Sequence, residues 1–154
     1  MELARERGAI VIVNDRPDIA KLARADGVHL GQEDLAPSAV REMLGASAII
    51  GRSTHSVTQI DEAAKEPVDY VAVGPVFATA TKATGYEAVG LELVSTAARC
   101  GLPVVAIGGI KLANAASVIS AGAAAVAVIS DLLATGDPAA RTTEYLKALR
   151  GAQR

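Results

Sequence analysis

Gly27-Val28-His29-Leu30-Gly31-Gln32-Glu33-Asp34 runs a short apolar stretch into a polar cluster, and Pro37 then opens a helical pattern. The same order recurs along the chain. Asn14-Asp15, Arg52-Ser53-Thr54-His55, Thr79-Ala80-Thr81-Lys82, Gly108-Gly109 and Ser130-Asp131 each close an apolar run and precede a helix. The apolar runs span 9–13, 28–30, 48–51, 70–73, 104–107 and 125–129. They are continuous rather than alternating and rich in Val and Ile, as parallel strands buried on both faces are.

Helix signals fill the intervals. Pro37 sits where a missing N–H costs little. Ser56 and Gln59 have capping-box spacing, and Asp137-Pro138 reads as an N-cap followed by the first helical residue. Gly27, Gly45, Gly101 and Gly122 follow helical runs, where a left-handed residue closes a helix. Residues 2–7 look like a helix tail stopped by Gly8. The last helix, 138–149, is expected to bury Tyr145, Leu146 and Leu149 on one face.

Strand-helix repetition allows an open doubly wound sheet or a closed barrel. Six units suit the open sheet by count. Polar residues at nearly every strand end favour the barrel, because a doubly wound sheet concentrates its site at one switch point. The expected fold is therefore α/β of the TIM (β/α)8 barrel family, with about six βα units in one domain over 1–154. In such a barrel distant loops converge on one mouth.

Composition narrows the function classes. A net charge of -2 supplies no basic patch for nucleic acid. The longest apolar stretch, 121–130, is too short to cross a bilayer, and no signal peptide is recognisable. Cys100 is the only cysteine, so no intrachain disulfide forms, and a cytoplasmic location is the default. Aromatic residues make up only 3%, so Val, Ile, Leu and Ala must build the core.

Several clusters suit phosphate chemistry. Asp15 and Asp34, on neighbouring loops, could share a hard cation such as Mg²⁺, which one or two carboxylates hold together with substrate phosphates and water. Helix capping is the competing reading, on equal terms for Asp15 and preferred for Asp34. Ser53 could donate to a phosphate and His55 could shuttle a proton. Capping by Ser53 or Ser56, with a structural hydrogen bond from His55, is the preferred alternative there. His29 points away from Val28 and Leu30 and reads as a satisfied interior histidine. The hydroxyls of the 77–85 loop, with Lys82 as a point charge, suit a phosphorylated ligand; a solvated loop is the equal alternative. Gly108-Gly109 and Ser130 lie where barrels often expose backbone N–H groups to phosphate, against the plainer reading of a tight turn and a cap.

Taken together, Ile12-Val13-Asn14-Asp15, Gly27 to Asp34, Gly51-Arg52-Ser53-Thr54-His55, Gly74-Pro75-Val76-Phe77-Ala78-Thr79-Ala80-Thr81-Lys82, Ala106-Ile107-Gly108-Gly109-Ile110 and Val128-Ile129-Ser130 resemble the thiamine-phosphate synthase family. The resemblance covers almost the whole chain in order. It implies a transferase that joins 4-amino-5-hydroxymethyl-2-methylpyrimidine diphosphate to a thiazole phosphate and releases diphosphate. Asp15 and Asp34 would then hold Mg²⁺. Asn14, Ser53 and Lys82 would contact the pyrimidine diphosphate, with Lys82 and Ser53 in catalytic roles. Thr79, Ala80 and Thr81 would line the thiazole phosphate site, and Gly109, Ile129 and Ser130 would bind that phosphate.

The pattern departs from the family in one respect. The family barrel has eight strands, and this chain matches from just before the third. The glutamine and basic residues that grip the pyrimidine diphosphate belong to the unmatched part. Six strands leave the 9–13 and 125–129 strands with open edges. The expected consequences are an incomplete gene reading, a homo-oligomer that covers the edges, or an open and poorly stable sheet. Two alternatives to the transferase remain: a thiazole tautomerase-like isomerase using His55, and a phosphate-binding remnant without turnover.

Overall fold

A computed structural model of the chain describes residues 1–79 and 85–152. Its elements run α1 (Glu2–Glu6), β1 (Ile12–Asn14), α2 (Pro17–Ala23), β2 (Gly27–Leu30), α3 (Pro37–Leu44), β3 (Ile49–Thr54) and α4 (Val57–Ala63). They continue with β4 (Tyr70–Val73), α5 (Gly90–Ala97), β5 (Val104–Ile107), α6 (Leu112–Ser120), β6 (Ala125–Ala127), α7 (Ser130–Leu133) and α8 (Pro138–Ala152). The six strands form one sheet in the order β1-β2-β3-β4-β5-β6, with every neighbouring pair parallel. A doubly wound sheet reverses its strand order at the switch point, so this sequential order excludes it. The sheet curls into a half-barrel.

Strand register sorts the side chains into two faces, because neighbours alternate across a strand. Val28, Leu30, Ile50, Val71, Val73, Val104 and Ala106 face the helices and are 0–2% exposed. They pack in two clusters. One joins Ala20 and Val40 to β2 and β3; the other joins Ile60, Val94, Ala97, Ala115 and Val118 to β4 and β5. Burying each Leu, Ile or Val contributes about 1.5–3 kcal/mol. The other face carries Asn14, His29, Gly51 and Tyr70 in one row, and Ser53, Ala72, Val105 and Ala125 in the next.

The edge strands are shorter than the sequence suggested, since β1 begins at Ile12 and β6 stops at Ala127. Each has one neighbour, and short edges are a common way to limit unpaired backbone. β3 is longer than expected and includes Arg52, Ser53 and Thr54. Thr54 is fully buried on the helix side and donates its hydroxyl to Ala72 O at 3.0 Å, which satisfies a polar group that looked loop-like.

Local signals explain the helix ends. Ser56 Oγ accepts from Gln59 N, while Gln59 Oε1 accepts from His55 N, one residue earlier than a regular capping box. Asp137 Oδ1 accepts from Ala139 N and Ala140 N. Gly45, Gly101 and Gly122 take positive φ after helices, but Gly27 lies inside β2. There a Cβ would come within 1.9 Å of Ile49 O, so Gly27 permits close strand approach, and Arg24 (φ 52°) closes α2 instead. In α8, Tyr145 is buried and Leu149 packs on the core, whereas Leu146 stays 52% exposed, against expectation.

At the strand starts, two aspartates pin neighbouring strands together. Asp26 Oδ2 accepts from Val11 N at 2.7 Å, and Asp69 Oδ2 accepts from Ile50 N at 2.7 Å. Arg41 adds an ion pair to Asp69 at 2.7 Å and donates to Ala48 O. Among the described residues, no helix is long and apolar enough to cross a membrane.

Candidate functional site

Parallel pairing throughout puts all six strand C-termini on one rim, and the polar clusters stand there. Asn14 ends β1 and is exposed. Asp15 follows with φ 63°, a left-handed conformation that Asp tolerates better than most residues, and its N–H donates to His29 O at 2.8 Å. Asp34 lies in the loop after β2, where Oδ2 accepts from Gly31 N at 2.6 Å. Neither carboxylate is an N-cap: α2 is preceded by Arg16 and α3 by Ala36, and neither of those side chains caps its helix. The capping alternative therefore fails for both, and the two carboxylates occupy adjacent loops of one rim. No group of three or more His, Cys, Asp or Glu gathers among the described residues. A pair of carboxylates with substrate oxygens and water nonetheless suffices for magnesium, so the donor set fits a hard divalent cation.

Below the rim, the concave face holds a polar trio. The His29 ring pairs through Nδ1 with Tyr70 OH at 2.9 Å and through Nε2 with Ser53 Oγ at 2.8 Å. His29 is a satisfied histidine, as expected, but it lines the concave face rather than the helix-packed core. Tyr70 stacks on the ring at 5.6 Å, and burial raises the pKa of its phenol. Gly51 makes room for it, since a Cβ there would lie 2.0 Å from the Tyr70 ring. Gln32 Nε2 donates to Ser53 O at 2.5 Å, and Arg52 Nη1 donates to Gly31 O at 2.7 Å, so the β2 loop is stitched to β3 beside Ser53. Sequence reading missed Tyr70. The usable signal was Gly51 inside a strand, which marks a close approach.

His55 stands apart from this trio. Its Nδ1 pairs with Gly74 O, and its ring stacks on Tyr86 at 3.7 Å. It borders an open groove of about 360 Å³ with Val57, Val89, Glu92 and Leu93.

The remaining predicted residues cluster after β4, β5 and β6. Thr79 is half-buried, while Ala80, Thr81 and Lys82 lie outside the described residues. Phe77 N donates to Gly108 O at 3.1 Å, packing the β4 loop backbone on the glycine turn. Gly109 has φ 64°, and a Cβ there would meet Phe77 O and Ala78 O at 2.7 Å, so both conformation and space demand glycine. Ile129 is 58% exposed and Ser130 is exposed beside it. Asp131, next in sequence, has its carboxyl held below the usual range, first by the Tyr145 hydroxyl and then by Arg141 and Leu112 N, against the effect of burial.

With this geometry in place, known proteins supply a frame. A sequence profile described as Thiamine monophosphate synthase matches residues 1–132. The chain is 49% identical over 149 residues to the thiamine-phosphate synthase of Synechococcus sp. (strain WH7803), spanning 96% of this chain and 42% of that protein. It is 47% identical over 150 residues to the thiamine-phosphate synthase of Pelotomaculum thermopropionicum, spanning 97% of this chain and 67% of the relative. The thiamine phosphate pyrophosphorylase structure from Pyrococcus furiosus superposes with a TM-score of 0.90 at 36% identity, covering 99% of this chain and 73% of that one. The chain thus spans from under half to about two-thirds of these sequence relatives, and it belongs to the thiamine monophosphate synthase family.

Proposed function

We propose that this chain carries the substrate-gripping rim of a thiamine-phosphate synthase, built on six βα units of a TIM (β/α)8 barrel. The observation that carries this reading is the single rim formed by Asn14, Asp15, Asp34, Thr79, Gly109 and Ser130 at or just past the C-terminal ends of parallel strands, with Ser53 of β3 on the concave face just below it. The reaction would join a pyrimidine diphosphate to a thiazole phosphate. The bond between the pyrimidine methylene and the diphosphate oxygen breaks, and its electron pair leaves with diphosphate. The thiazole nitrogen lone pair then forms the new C–N bond to that methylene.

Residues of this chain divide the work by charge. Asn14 and Ser53 orient the pyrimidine diphosphate, and Lys82 meets the negative charge that builds on the leaving oxygens. Asp15 and Asp34 would hold Mg²⁺, which neutralises diphosphate charge when bound. Thr79, Ala80, Thr81, Gly109, Ile129 and Ser130 hold the thiazole phosphate and place its nitrogen for attack. His29 and Tyr70 fix the Ser53 side of the concave floor. The tautomerase alternative would set His55, whose Nδ1 pairs with Gly74 O, on substrate, but a tautomerisation releases no diphosphate and gives Asp15, Asp34 and Lys82 no role.

Diphosphate release from the two substrates, with and without Mg²⁺, tests the reading. Asp34→Ala should abolish the magnesium-dependent coupling. Unchanged coupling in that variant would remove the metal site and the mechanism with it. The open edges of β1 and β6 belong to the same proposal: a second copy covers them. Sedimentation of a stable monomer that unfolds cooperatively would refute that part.

A further inference from the structure

Sheet pairing between β5 and β6 ends at Ile107 and Ala127. Gly109, Ile129 and Ser130 all lie beyond that last rung, so the ladder does not set the distance between the two turns. Side chains continue the connection. Asp131 Oδ2 accepts from Leu112 N at 3.1 Å, from Arg141 Nε and Nη2 at 3.2 and 2.8 Å, and from Tyr145 OH at 2.6 Å. One carboxylate oxygen thereby joins the residue after Ser130 to the start of α6 and to α8. Its side chain is 12% exposed and that of Arg141 is 18% exposed. Asn114 braces the glycine turn from the other side. Its Oδ1 accepts from Lys111 N at 2.8 Å, and its Nδ2 donates to Gly109 O at 3.3 Å.

We infer that Asp131 and Asn114 are positioning residues for the thiazole phosphate: Asn114 shapes the Gly109 turn, and Asp131 holds that turn in register with Ser130. This rests on the proposed function, which puts the phosphate between the two turns. Neither residue needs to touch the ligand. Each fixes backbone whose N–H groups and hydroxyl must point at one phosphate together, so losing either brace spreads the donors apart.

The test is the dissociation constant of this chain for thiazole phosphate and, separately, for inorganic phosphate, measured by isothermal titration. Asp131→Ala and Asn114→Ala should each weaken thiazole phosphate binding about tenfold, the scale of one lost hydrogen bond. Asp131→Asn keeps an oxygen for Leu112 N and should restore affinity to within about threefold of wild type. Arg41→Met removes the Asp69 pair at the opposite strand ends and serves as a control for stability. It should lower the melting temperature by about 2–6 °C and leave both dissociation constants unchanged. Where the chain turns over, the Asp131 and Asn114 variants should raise KM for thiazole phosphate and leave kcat in place.

Wild-type affinity in Asp131→Ala overturns the inference. So does an Asp131→Asn no better than alanine, or an Arg41→Met that loses as much affinity. If Asp131→Ala does not fold, Asn114→Ala and Asp131→Asn decide: unchanged affinity in the first, or a tenfold loss in the second, sinks the proposal. A wild-type chain that binds inorganic phosphate but not thiazole phosphate ends the proposed function alone, and the same ranking is then read with inorganic phosphate. Binding of neither ends both.

Discussion

The helix-facing and concave sides of this sheet are built by the same strands, yet they are chemically unlike. On the helix side, Leu30, Ile50, Val71 and Val73 are fully buried. On the concave side, Ile107 is 36% exposed, and three positions are the hydrogen-bonded His29, Ser53 and Tyr70. A period-two alternation lets one strand serve both ends. The helix side supplies cohesion, and the concave side is left to polar groups that a ligand can use.

That contrast makes ordered predictions. The largest effect should come from Leu30→Ala, which costs about 2–5 kcal/mol of stability in chemical denaturation, as core truncations do. Ile107→Ala on the opposite face should cost under about 1 kcal/mol, as partly exposed substitutions usually do. Equal losses would erase the distinction between the two faces.

Gly51→Ala comes next. A methyl group there collides with the Tyr70 ring, so overpacking should cost about 1–3 kcal/mol. It should also break the His29–Tyr70 hydrogen bond, visible as a changed imidazole resonance by NMR. An unaltered His29 signal would mean that the trio is not built around this glycine.

Ser53→Ala removes one partner of the His29 ring and should cost about 0.5–1.5 kcal/mol of stability. Its loss of affinity for the pyrimidine diphosphate should exceed that in proportion, because the concave face serves ligand more than fold. A variant that is destabilised but binds normally would assign Ser53 to structure.

The smallest effect concerns acid. The Asp131 carboxyl lies below its ordinary 3.8, chiefly through the Tyr145 hydroxyl. A depressed folded-state pKa gives stability that is present above the unfolded value and lost as pH falls through the folded one. Stability should therefore slope downward below about pH 4, and Asp131→Asn should flatten that slope. A parallel slope in wild type and variant would place the acid sensitivity on other carboxylates.

The strands at 70–73 and 104–107 were legible at their true bounds, because each uninterrupted apolar run is bracketed by breakers, Asp69 and Gly74 for the first and Pro103 and Gly108 for the second. β3 was read short. Arg52 and Thr54 are polar, yet they lie on the helix side, where Arg52 pairs with Glu66 at 3.7 Å and Thr54 bonds to backbone. The rim was legible too, since every strand end carries its own polar cluster and parallel strands share direction. Tyr70 was not. Its partner His29 lies 41 residues away, and a tyrosine at a strand start looks like any aromatic.

Local pattern was enough to specify that six strands alternate with helices, where α3, α4 and α8 begin, and that distant loops share a rim. These follow from periodicity, capping chemistry and strand direction, all of which act over a few residues. The His29–Ser53–Tyr70 trio and the Asp131 junction needed the folded chain. They join groups from separate βα units, and which donor meets which acceptor depends on how the sheet curls and how α8 closes on α6. Hydrogen bonds act over about 3 Å, and no spacing along the chain encodes such a meeting until packing brings the elements together.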